Sequence, residues 1–472
     1  MSFHTASALS RRFRLVLSSF MQRDGLPFCD VLTEEQIRDT FEREGGTFAQ
    51  EEDDVYTPPL TLWAFLSQVL FKEEQRSCAA AVARVVVLLV ALGRKPCSDN
   101  TAAYCRARAK LPERALQRLT LDVAARLEPQ VPDDWLWQGR HVKLVDGTTV
   151  TMPDTPENQA AYPQQPQQAE GVGFPIARLV VLLSLAMAMT SGMALGPYCG
   201  KQTGEMALFR QLLDQLQRGD IVLADRYYCS YFMIALLLEL GVDVVTRLHQ
   251  RRSADFRRGR RLGQHDHLVT WTRPAKPKWM DQATYDRMPE SMSVRELVVQ
   301  VQQPGFRSES FIVITTLTDA ETYPRDDIAE LYHRRWLAEL DIRAIKETLG
   351  MDHLRCKSPE MVRREIWTCL LAYNLIRQTM AQSAQRQGMS PRRLSFAAAL
   401  QKLASSWCVL ALAVDELALV LINTQLEQLA GHEVGNRPNR VEPRAVKRRP
   451  KPHKLLTQPR AKARAALLAG KA

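Results

Sequence analysis

The sequence predicts an α/β protein whose mixed sheet core is preceded and followed by helical regions. Between residues 126 and 248, short apolar segments rich in β-branched residues alternate with segments of helical periodicity. Such alternation indicates a sheet with at least some parallel strand pairing. Apolar residues recur at helical spacing before this part, as in LTLWAFLSQVLF, and after it, as in EMVRREIWTCLLAYNLIRQTMAQSA.

The sheet core is predicted to start with a strand in HVKLVDGTTVTM and to continue with two buried strands in IARLVVLLSLAMAMTSGMALG. Thr190, Ser191 and Gly192 interrupt the second stretch as a hairpin turn would. A membrane helix is the alternative for this stretch, but these polar residues favour strands. A helix in GEMALFRQLLDQLQRG, a strand in DIVLAD, a helix in RYYCSYFMIALLLELG and a strand in VDVVTRL follow.

After Arg247 the chain becomes irregular and rich in arginine and proline, and two strand-like segments follow, SVRELVVQVQ and SFIVITTLT. This pattern predicts a β-rich insertion in the sheet domain. The predicted organisation is a helical N-terminal domain (1–125), the first part of the core (126–248), the insertion (249–308), the second part of the core (309–385), a helical C-terminal region (386–436) and a disordered basic tail (437–472).

The net charge of +11 is concentrated in that tail, whose 36 residues hold twelve Lys or Arg against one acid, Glu442. A cationic tail favours contact with polyanions such as nucleic acid, and a solubilising role is the alternative. Nine cysteines without zinc-ligand spacing favour a reducing compartment. We find no signal peptide and expect a cytoplasmic, nucleoid-associated protein without a membrane anchor.

Two aspartates occupy predicted strand ends. Asp146 is followed by a glycine in KLVDGTT, and Asp225 ends IVLAD. Ligands and catalytic groups gather at strand ends in α/β sheets, because the sheet fixes the carboxylate while loops admit substrate. For either residue alone, a turn residue or a helix cap is the favoured explanation.

The segment LYHRRWLAELDIRAIKETLGM adds a third acid. On a regular helix, Tyr332, Arg335, Glu339 and Lys346 fall within an arc of about 60°, whereas Asp341 points to the opposite side. A salt-bridge ladder would explain this face. The alternative is an acid that joins Asp146 and Asp225 around two Mg²⁺ or Mn²⁺ ions, with the phenol and the two cations on the phosphates of DNA.

These residues resemble a known family. Tyr332, Arg335, Glu339 and Lys346 match the Tyr-Arg-Glu-Lys signature of bacterial insertion-sequence transposases of the DDE type, which have a ribonuclease H-like catalytic core. VDGTT and LADRYYCS resemble the segments with the family's first and second catalytic aspartates. The resemblance covers roughly residues 60 to 380. Members of the family carry a mostly β insertion between the second catalytic aspartate and the glutamate.

The resemblance implies an enzyme that cleaves DNA at the ends of an insertion sequence and joins them to target DNA. It also implies that the helical N-terminal domain (1–125) is a DNA-binding domain. Asp146, Asp225 and Glu339 are then the catalytic metal ligands. The partners implied are double-stranded DNA, as terminal inverted repeats and target, and a second copy of the chain on paired ends. A metal-dependent nuclease that does not join DNA and a catalytically inactive DNA binder remain alternatives.

In relatives of this family a tryptophan of the insertion holds a flipped base, and Trp271 and Trp279 are the candidates here. Either indole could instead cover the core of the insertion. The arginine cluster of the insertion is predicted to contact phosphates, with a solvated surface as the alternative. Its candidate residues in the sequence are Arg257, Arg258, Arg260 and Arg261. His265 and His267 are expected in a solvated loop.

Overall fold

The computed structural model describes residues 11–51, 53–300, 310–435 and 455–469. The chain divides into two compact units, each made of several stretches of sequence. The helical unit comprises Met1–Gly139, Leu183–Gly192 and Glu339–Val434. The sheet unit comprises Arg140–Leu182, Met193–Ala338 and Gly435–Ala472.

The helical unit is built around a long buried helix. In chain order its helices are α1 (Arg14–Ser19), α2 (Glu34–Arg43), α3 (Pro58–Leu70), α4 (Cys78–Ala91), α5 (Thr101–Lys110) and α6 (Glu113–Leu127), then α13 (Pro359–Arg386), α14 (Phe396–Leu412) and α15 (Asp415–Ala430). Helix α13 packs against α3, α6, α14 and α15. Its apolar residues are buried on all sides, which is typical of a helix at the centre of a domain.

Polar contacts also hold this unit together. The Asn374 side chain accepts a hydrogen bond from Thr190 N at 2.9 Å and donates to Thr190 O at 2.9 Å and to Thr120 O at 2.8 Å. Arg76 pairs with Glu365 at 3.4 Å, and both side chains are buried. The buried amide of Asn374 and the buried Arg76–Glu365 pair therefore have partners, which avoids the cost of desolvating these groups alone.

The sheet unit contains the strands β1 (Val142–Thr151), β2 (Ile176–Ser184), β3 (Thr190–Pro197), β4 (Ile221–Ala224), β5 (Asp243–Arg247), β6 (Arg260–Gly263), β7 (Asp266–Thr272), β8 (Ser291–Gln300) and β9 (Ser310–Thr315), of which β2 and β3 extend into Leu183–Gly192 of the helical unit. The strands form one sheet in the order β3-β2-β1-β4-β5-β9-β8-β7-β6. Strands β1, β4 and β5 pair in parallel. The neighbouring strands β5, β9, β8, β7 and β6, in this order across the sheet, pair antiparallel. The predicted α/β class with a mixed sheet is confirmed.

Five short helices accompany the sheet: α7 (Pro156–Ala161), α8 (Glu205–Arg210), α9 (Tyr231–Glu239), α10 (Gln282–Arg287) and α11 (Arg325–His333). Helix α9 begins after Ser230, whose side chain accepts a hydrogen bond from Met233 N. It ends before Gly241, which has a φ of +72°. Its apolar residues join those of β1, β4 and β5 in one buried core.

Two local predictions need correction. The hairpin turn does not lie at Thr190–Gly192, because these residues already belong to β3 and the turn is formed by Leu185–Met189. The second correction concerns His267, which was expected in a solvated loop. Asp266 and His267 are buried at the start of β7. There Arg295 binds the Asp266 carboxylate through two hydrogen bonds of 2.6 and 2.8 Å, and His267 Nε2 lies 3.1 Å from Glu296.

No helix within the described ranges is long and apolar enough to cross a membrane. Of the basic tail, the structure describes residues 455–469, and Arg460–Leu468 form helix α16. Its residues are not buried, so the helix lies at the surface of the sheet unit. Most of the tail, including the predicted disorder at 437–454, lies outside the described residues.

Candidate active site

Asp146 and Asp225 lie side by side in the sheet unit. Strands β1 and β4 pair in parallel, with Val145 opposite Ala224. Asp146 directly follows Val145, and Asp225 directly follows Ala224. Because paired parallel strands run in the same direction about 4.8 Å apart, both carboxyl groups leave the sheet at the same level. The structure therefore brings together two of the three acids that the sequence singles out.

The strand position of Asp146 differs from the prediction. Strand β1 continues to Thr151, so Asp146 lies within a strand rather than at its end. The pairing with β4 stops at Val145 because β4 ends at Ala224. Asp225 does follow a strand end, as predicted. It also caps a short 3₁₀ turn, because its Oδ1 accepts a hydrogen bond from Arg226 N at 2.5 Å.

A third acid of the sheet unit, Glu205, lies near this pair, against Gly147. A Cβ atom placed on Gly147 would come within 2.7 Å of Glu205 Oε1. Burial raises the pKa of the Glu205 carboxyl, Arg178 opposes this shift, and Asp225 adds to it. Sequence reasoning missed Glu205, because it begins a helix of six residues and follows no recognisable spacing from either aspartate.

The buried hydroxyl of Tyr228 interacts electrostatically with the same acids. Burial raises the pKa of Tyr228 well above its usual value, and the charges of Glu205, Asp146 and Asp225 act in the same direction. The phenol therefore stays protonated beside the carboxylates. Its ring packs edge-on against Phe209 at a centroid distance of 5.5 Å, which helps to fix the position of the phenol.

Tyr332 and Arg335 belong to the same unit as the two aspartates. Burial raises the pKa of Tyr332 to about 12. Asp225 acts in the same direction, while Arg335 and Arg247 oppose the shift. The Tyr332 ring contacts Phe311 at a centroid distance of 5.1 Å. Its hydroxyl is thus a protonated group close to Asp225 and to two guanidinium groups.

The regular helix assumed for residues 331–351 is not present. Helix α11 ends at His333, and α12 (Trp336–Arg343) begins after two intervening residues. Ala344–Thr348 then form a π-helical turn, in which Leu349 N donates to Ala344 O. The arc of about 60° calculated at 100° per residue is therefore wrong for the full set of four residues.

The unit boundary falls inside α12, between Ala338 and Glu339. Glu339 and Lys346 therefore belong to the helical unit, whereas Tyr332 and Arg335 belong to the sheet unit. Glu339 is partly buried. Lys346 Nζ lies 3.0 Å from Asp352 Oδ1, an ion pair within the helical unit.

Asp341 is excluded as a candidate ligand, in agreement with the sequence analysis. Its side chain is buried and forms ion pairs with Arg377 at 2.9 Å and with Arg392 at 2.7 Å. Two guanidinium groups occupy its oxygens. Asp341 therefore has a structural role inside the helical unit.

The arginine cluster is exposed, within the residues 249–308 that were predicted as an insertion. The side chains of Arg257 and Arg258 are more than four-fifths exposed, and both pair with Asp255, at 2.9 and 3.4 Å. Hydrogen bonds from Arg257 lower the pKa of Asp255. Arg260 and Arg261 are exposed on β6, the strand at the sheet's edge.

The two candidate tryptophans differ in burial. Trp271 is only 7% exposed and donates a hydrogen bond from Nε1 to Glu296 at 3.1 Å, as a core residue does. Trp279 is partly buried and lies under the guanidinium of Arg210 at 3.9 Å. A third indole was missed: Trp336, which directly follows Arg335, is 49% exposed.

Comparison with known proteins identifies the family. A family model described as "Transposase DDE domain" matches residues 137–375, which is half of the chain. The chain belongs to this family of DDE transposases. Both aspartates, the segment from Tyr332 to Lys346 and the insertion lie inside the matched region. As a DDE transposase, the chain is an enzyme that cleaves and transfers DNA strands.

Individual relatives of this DDE transposase are insertion-sequence proteins. The transposase InsG for insertion sequence element IS4 of Escherichia coli (strain K12) is 29% identical over 342 residues, which cover 71% of this chain and 73% of InsG. The transposase for insertion sequence element IS421 of Escherichia coli is 32% identical over 76 residues, 16% of this chain and 20% of the relative.

Among solved structures, a piggyBac transposase synaptic complex with hairpin DNA is similar over 91% of this chain and 87% of that chain. The TM-score is 0.41 and the sequence identity is 8%. This likeness is too weak to bear on the mechanism of this DDE transposase.

Membership of the family implies the use of divalent metal ions. Asp146 and Asp225 fit such an ion, because Mg²⁺ and Mn²⁺ prefer carboxylate oxygens and the sheet holds these two at the same level. In the described part of the chain, no three His, Cys, Asp or Glu side chains are grouped closely enough to hold an ion. The sheet unit thus supplies two acids of the donor set.

Proposed function

We propose that this transposase cleaves DNA at the ends of an insertion sequence and joins the freed 3′-hydroxyl groups to target DNA. The observation that supports this proposal most directly is the parallel register that puts Asp146 beside Asp225 within the family's matched region. Both steps break one phosphodiester bond by in-line attack, first by water and then by the 3′-oxygen.

The proposed metal ligands are Asp146, Asp225 and Glu339, which together would hold two Mg²⁺ or Mn²⁺ ions. Such ions activate the attacking oxygen and stabilise the leaving oxygen when they are bound. The role of the chain is to orient the carboxylates. The sheet fixes the two aspartates, and the Asp146 carboxylate is held further by the hydrogen bond from Gly147 N at 2.8 Å.

The proposed DNA contacts divide into two groups. Tyr332, Arg335 and Lys346 would hold the backbone near the scissile phosphate, through hydrogen bonds that charge strengthens. The protonated Tyr332 hydroxyl supports this role, because only the neutral phenol can donate to a phosphate oxygen. Arg257, Arg258, Arg260 and Arg261 would track phosphates farther along the duplex.

Base stacking is proposed for an indole. Trp271 is buried and hydrogen-bonded, so Trp279 or the exposed Trp336 suits this task better. Two DNA ends require two sets of acids, and we therefore propose a homodimer on paired ends. Action on double-stranded DNA, as terminal inverted repeats and target, would place the enzyme in the cytoplasm and at the nucleoid.

Purified protein with Mg²⁺ and duplexes that contain the DNA flanking its own gene test the proposal. We expect strand cleavage at the element ends. Pre-nicked ends supplied with target DNA should give joined product, whereas a nuclease without joining activity would give none. Glu339→Gln should bind DNA without cleaving it, while an inactive DNA-binding protein would show no cleavage even before substitution.

A further inference from the structure

An open cavity of about 470 Å³ lies beside Asp225 in the sheet unit. Its volume is within the range of roughly 300 to 1,000 Å³ that is typical of small-molecule and cofactor sites. Four parts of the unit form its wall: strand β2, the start of helix α8, the turn after β4 and the residues after β5. The lining residues are Arg178, Glu205, Asp225, Arg226, Tyr227, His249 and Gln250.

Two guanidinium groups on this wall form no ion pair with any residue that the structure describes. Arg178 lies over the Tyr198 ring at 4.7 Å and donates from Nη1 to Thr203 O at 3.1 Å. These two contacts fix the plane of the guanidinium and leave other N–H groups of Arg178 available to a ligand. Arg226 is exposed, and it follows Asp225 directly. A guanidinium presents five donors in a planar fork that matches the oxygens of a phosphate.

The same wall carries an exposed aromatic ring. Tyr227 is 50% exposed, although it follows a buried strand and precedes the buried Tyr228. The two rings meet edge-on, with centroids 5.9 Å apart and planes at 88°. Tyr228 thus anchors Tyr227 at one edge. An anchored ring with half of its surface exposed is a platform on which a nucleobase can stack.

We propose that this cavity binds one nucleotide of the DNA strand next to the scissile phosphate. Arg178 and Arg226 hold the phosphate of this nucleotide, and Tyr227 stacks on its base. The cavity pairs cations with an aromatic ring, which is the combination that single-stranded nucleic acid requires. This proposal rests on the proposed function, because Asp225 connects the cavity to the reacting phosphate.

The nucleotide in the cavity has to leave the duplex stack, since a base within the stack has both faces covered. The cavity would therefore favour ends at which the first base pairs are already weakened. It also gives a stacking partner outside the insertion. Tyr227 would then act as a positioning residue for the strand, separate from any indole that contacts a second base.

The test uses the full chain and duplexes of its own element end in which the base pairs around the cleavage position are mismatched, so that unpairing costs little. Single nucleotides of this mismatched stretch are then made abasic one at a time. Binding is measured by fluorescence anisotropy and cleavage in gels. With the wild-type protein, one abasic position should weaken binding about tenfold, the size expected for one stacked base. Tyr227→Ala should weaken binding to intact DNA by a similar factor and be insensitive to that abasic position.

Tyr227→Phe keeps the ring and should retain the sensitivity of the wild-type protein. Phe174→Ala is the matched control, because Phe174 is another exposed aromatic of the same unit, 62% exposed, outside the cavity lining. With the wild-type protein, one neutral methylphosphonate linkage should weaken binding, because it removes the phosphate charge. Arg178→Ala should bind DNA with and without this linkage equally well. If Tyr227→Ala retains the abasic profile of the wild-type protein, the proposal is wrong.

Tyr227→Leu repeats the truncation with a different side chain, in case Tyr227→Ala does not fold. The two proposals fail separately in this design. Absence of cleavage by the wild-type protein would reject the proposed function, while the anisotropy profile would still decide the cavity. Normal cleavage with an unchanged Tyr227→Ala profile would reject the cavity alone.

Discussion

Gly147 and Glu205 are in such close contact that Gly147 has no room for a side chain. A Cβ atom at position 147 would lie 2.7 Å from both Glu205 Cγ and Glu205 Oε1. Real Cβ atoms do not approach neighbours this closely, so Glu205 would have to move. Glu205 lies near Asp146 and Asp225. Gly147, which follows Asp146, therefore leaves the space that the Glu205 carboxylate needs beside the two aspartates.

Gly147→Ala should therefore lower cleavage activity and cost about 1–3 kcal/mol of stability through overpacking. Adding Glu205→Ala should restore stability, because it removes the clashing atoms. Gly263→Ala is the control, since its nearest neighbour would be Asp266 Cβ at 3.7 Å, an ordinary contact. Urea denaturation of these three variants and of Glu205→Ala alone measures the effect. Strictly additive losses in the double variant would disprove the steric explanation.

The buried Arg295–Asp266 pair should contribute strongly to the stability of the insertion. Arg295→Met leaves the Asp266 carboxylate buried without its partner, and we expect a loss of about 3–5 kcal/mol in the free energy of unfolding. Arg287→Met is the matched control. Arg287 pairs with Glu239 at the surface, 59% and 46% exposed, so its loss should be about 1 kcal/mol or less. Equal losses for the two variants would contradict this account.

Trp271 and Trp336 should separate into a structural and a DNA-contacting residue. Trp271→Phe removes the donor that Glu296 accepts, and it should cost about 1–3 kcal/mol of stability. Trp336→Ala should change stability by less than about 0.5 kcal/mol, because the side chain is half exposed, but it should weaken DNA binding. Thermal denaturation and anisotropy distinguish these effects. The reverse pattern would reassign the stacking role to Trp271.

The Cys229 thiol should be inert at neutral pH. Burial raises its pKa from 9.0 to about 11, so the reactive thiolate is scarce in the folded protein. Alkylation by iodoacetamide at pH 8, followed by mass spectrometry, should label Cys229 far more slowly than the partly exposed Cys199. Labelling at equal rates before denaturation would show that the thiol is accessible.

The same shift has a consequence for stability. The folded state holds this proton more tightly than the unfolded state, so the contribution of Cys229 is fully present below pH 9 and is lost as the pH rises through about 11. Cys229→Ala should reduce the decline in stability over this interval. Denaturation curves at pH 8 and pH 10.5 provide the comparison.

The sheet core was predictable because local pattern determines it. Apolar, β-branched segments bounded by turn residues marked β4 and β5, and Asp225 follows its strand as expected. Asp146 was misplaced within its strand because the Asp-Gly pair is typical of turns, yet β1 continues past it. Strand length here depends on the neighbouring strands of the sheet, which the local pattern does not contain.

The remaining errors arose from long-range contacts. Periodicity assumes one continuous helix, so it could not indicate the break after His333 or the π-helical turn before Leu349. Burial of His267 depends on Glu296, which lies 29 residues away. Glu205 carries no sequence signal, because its proximity to Asp146 results from the fold of the sheet unit.

The central claim is that Asp146, Asp225 and Glu339 together support metal-dependent DNA cleavage. The most direct measurement compares the cleavage rates of Asp146→Asn, Asp225→Asn and Glu339→Gln with wild type in Mg²⁺ and Mn²⁺, with DNA binding measured in parallel. Glu347→Gln, an exposed acid eight residues after Glu339, is the control. We predict that each of the three substitutions lowers cleavage at least about 100-fold while DNA binding persists and the control cleaves normally. Cleavage at the wild-type rate by any of the three variants would contradict the account.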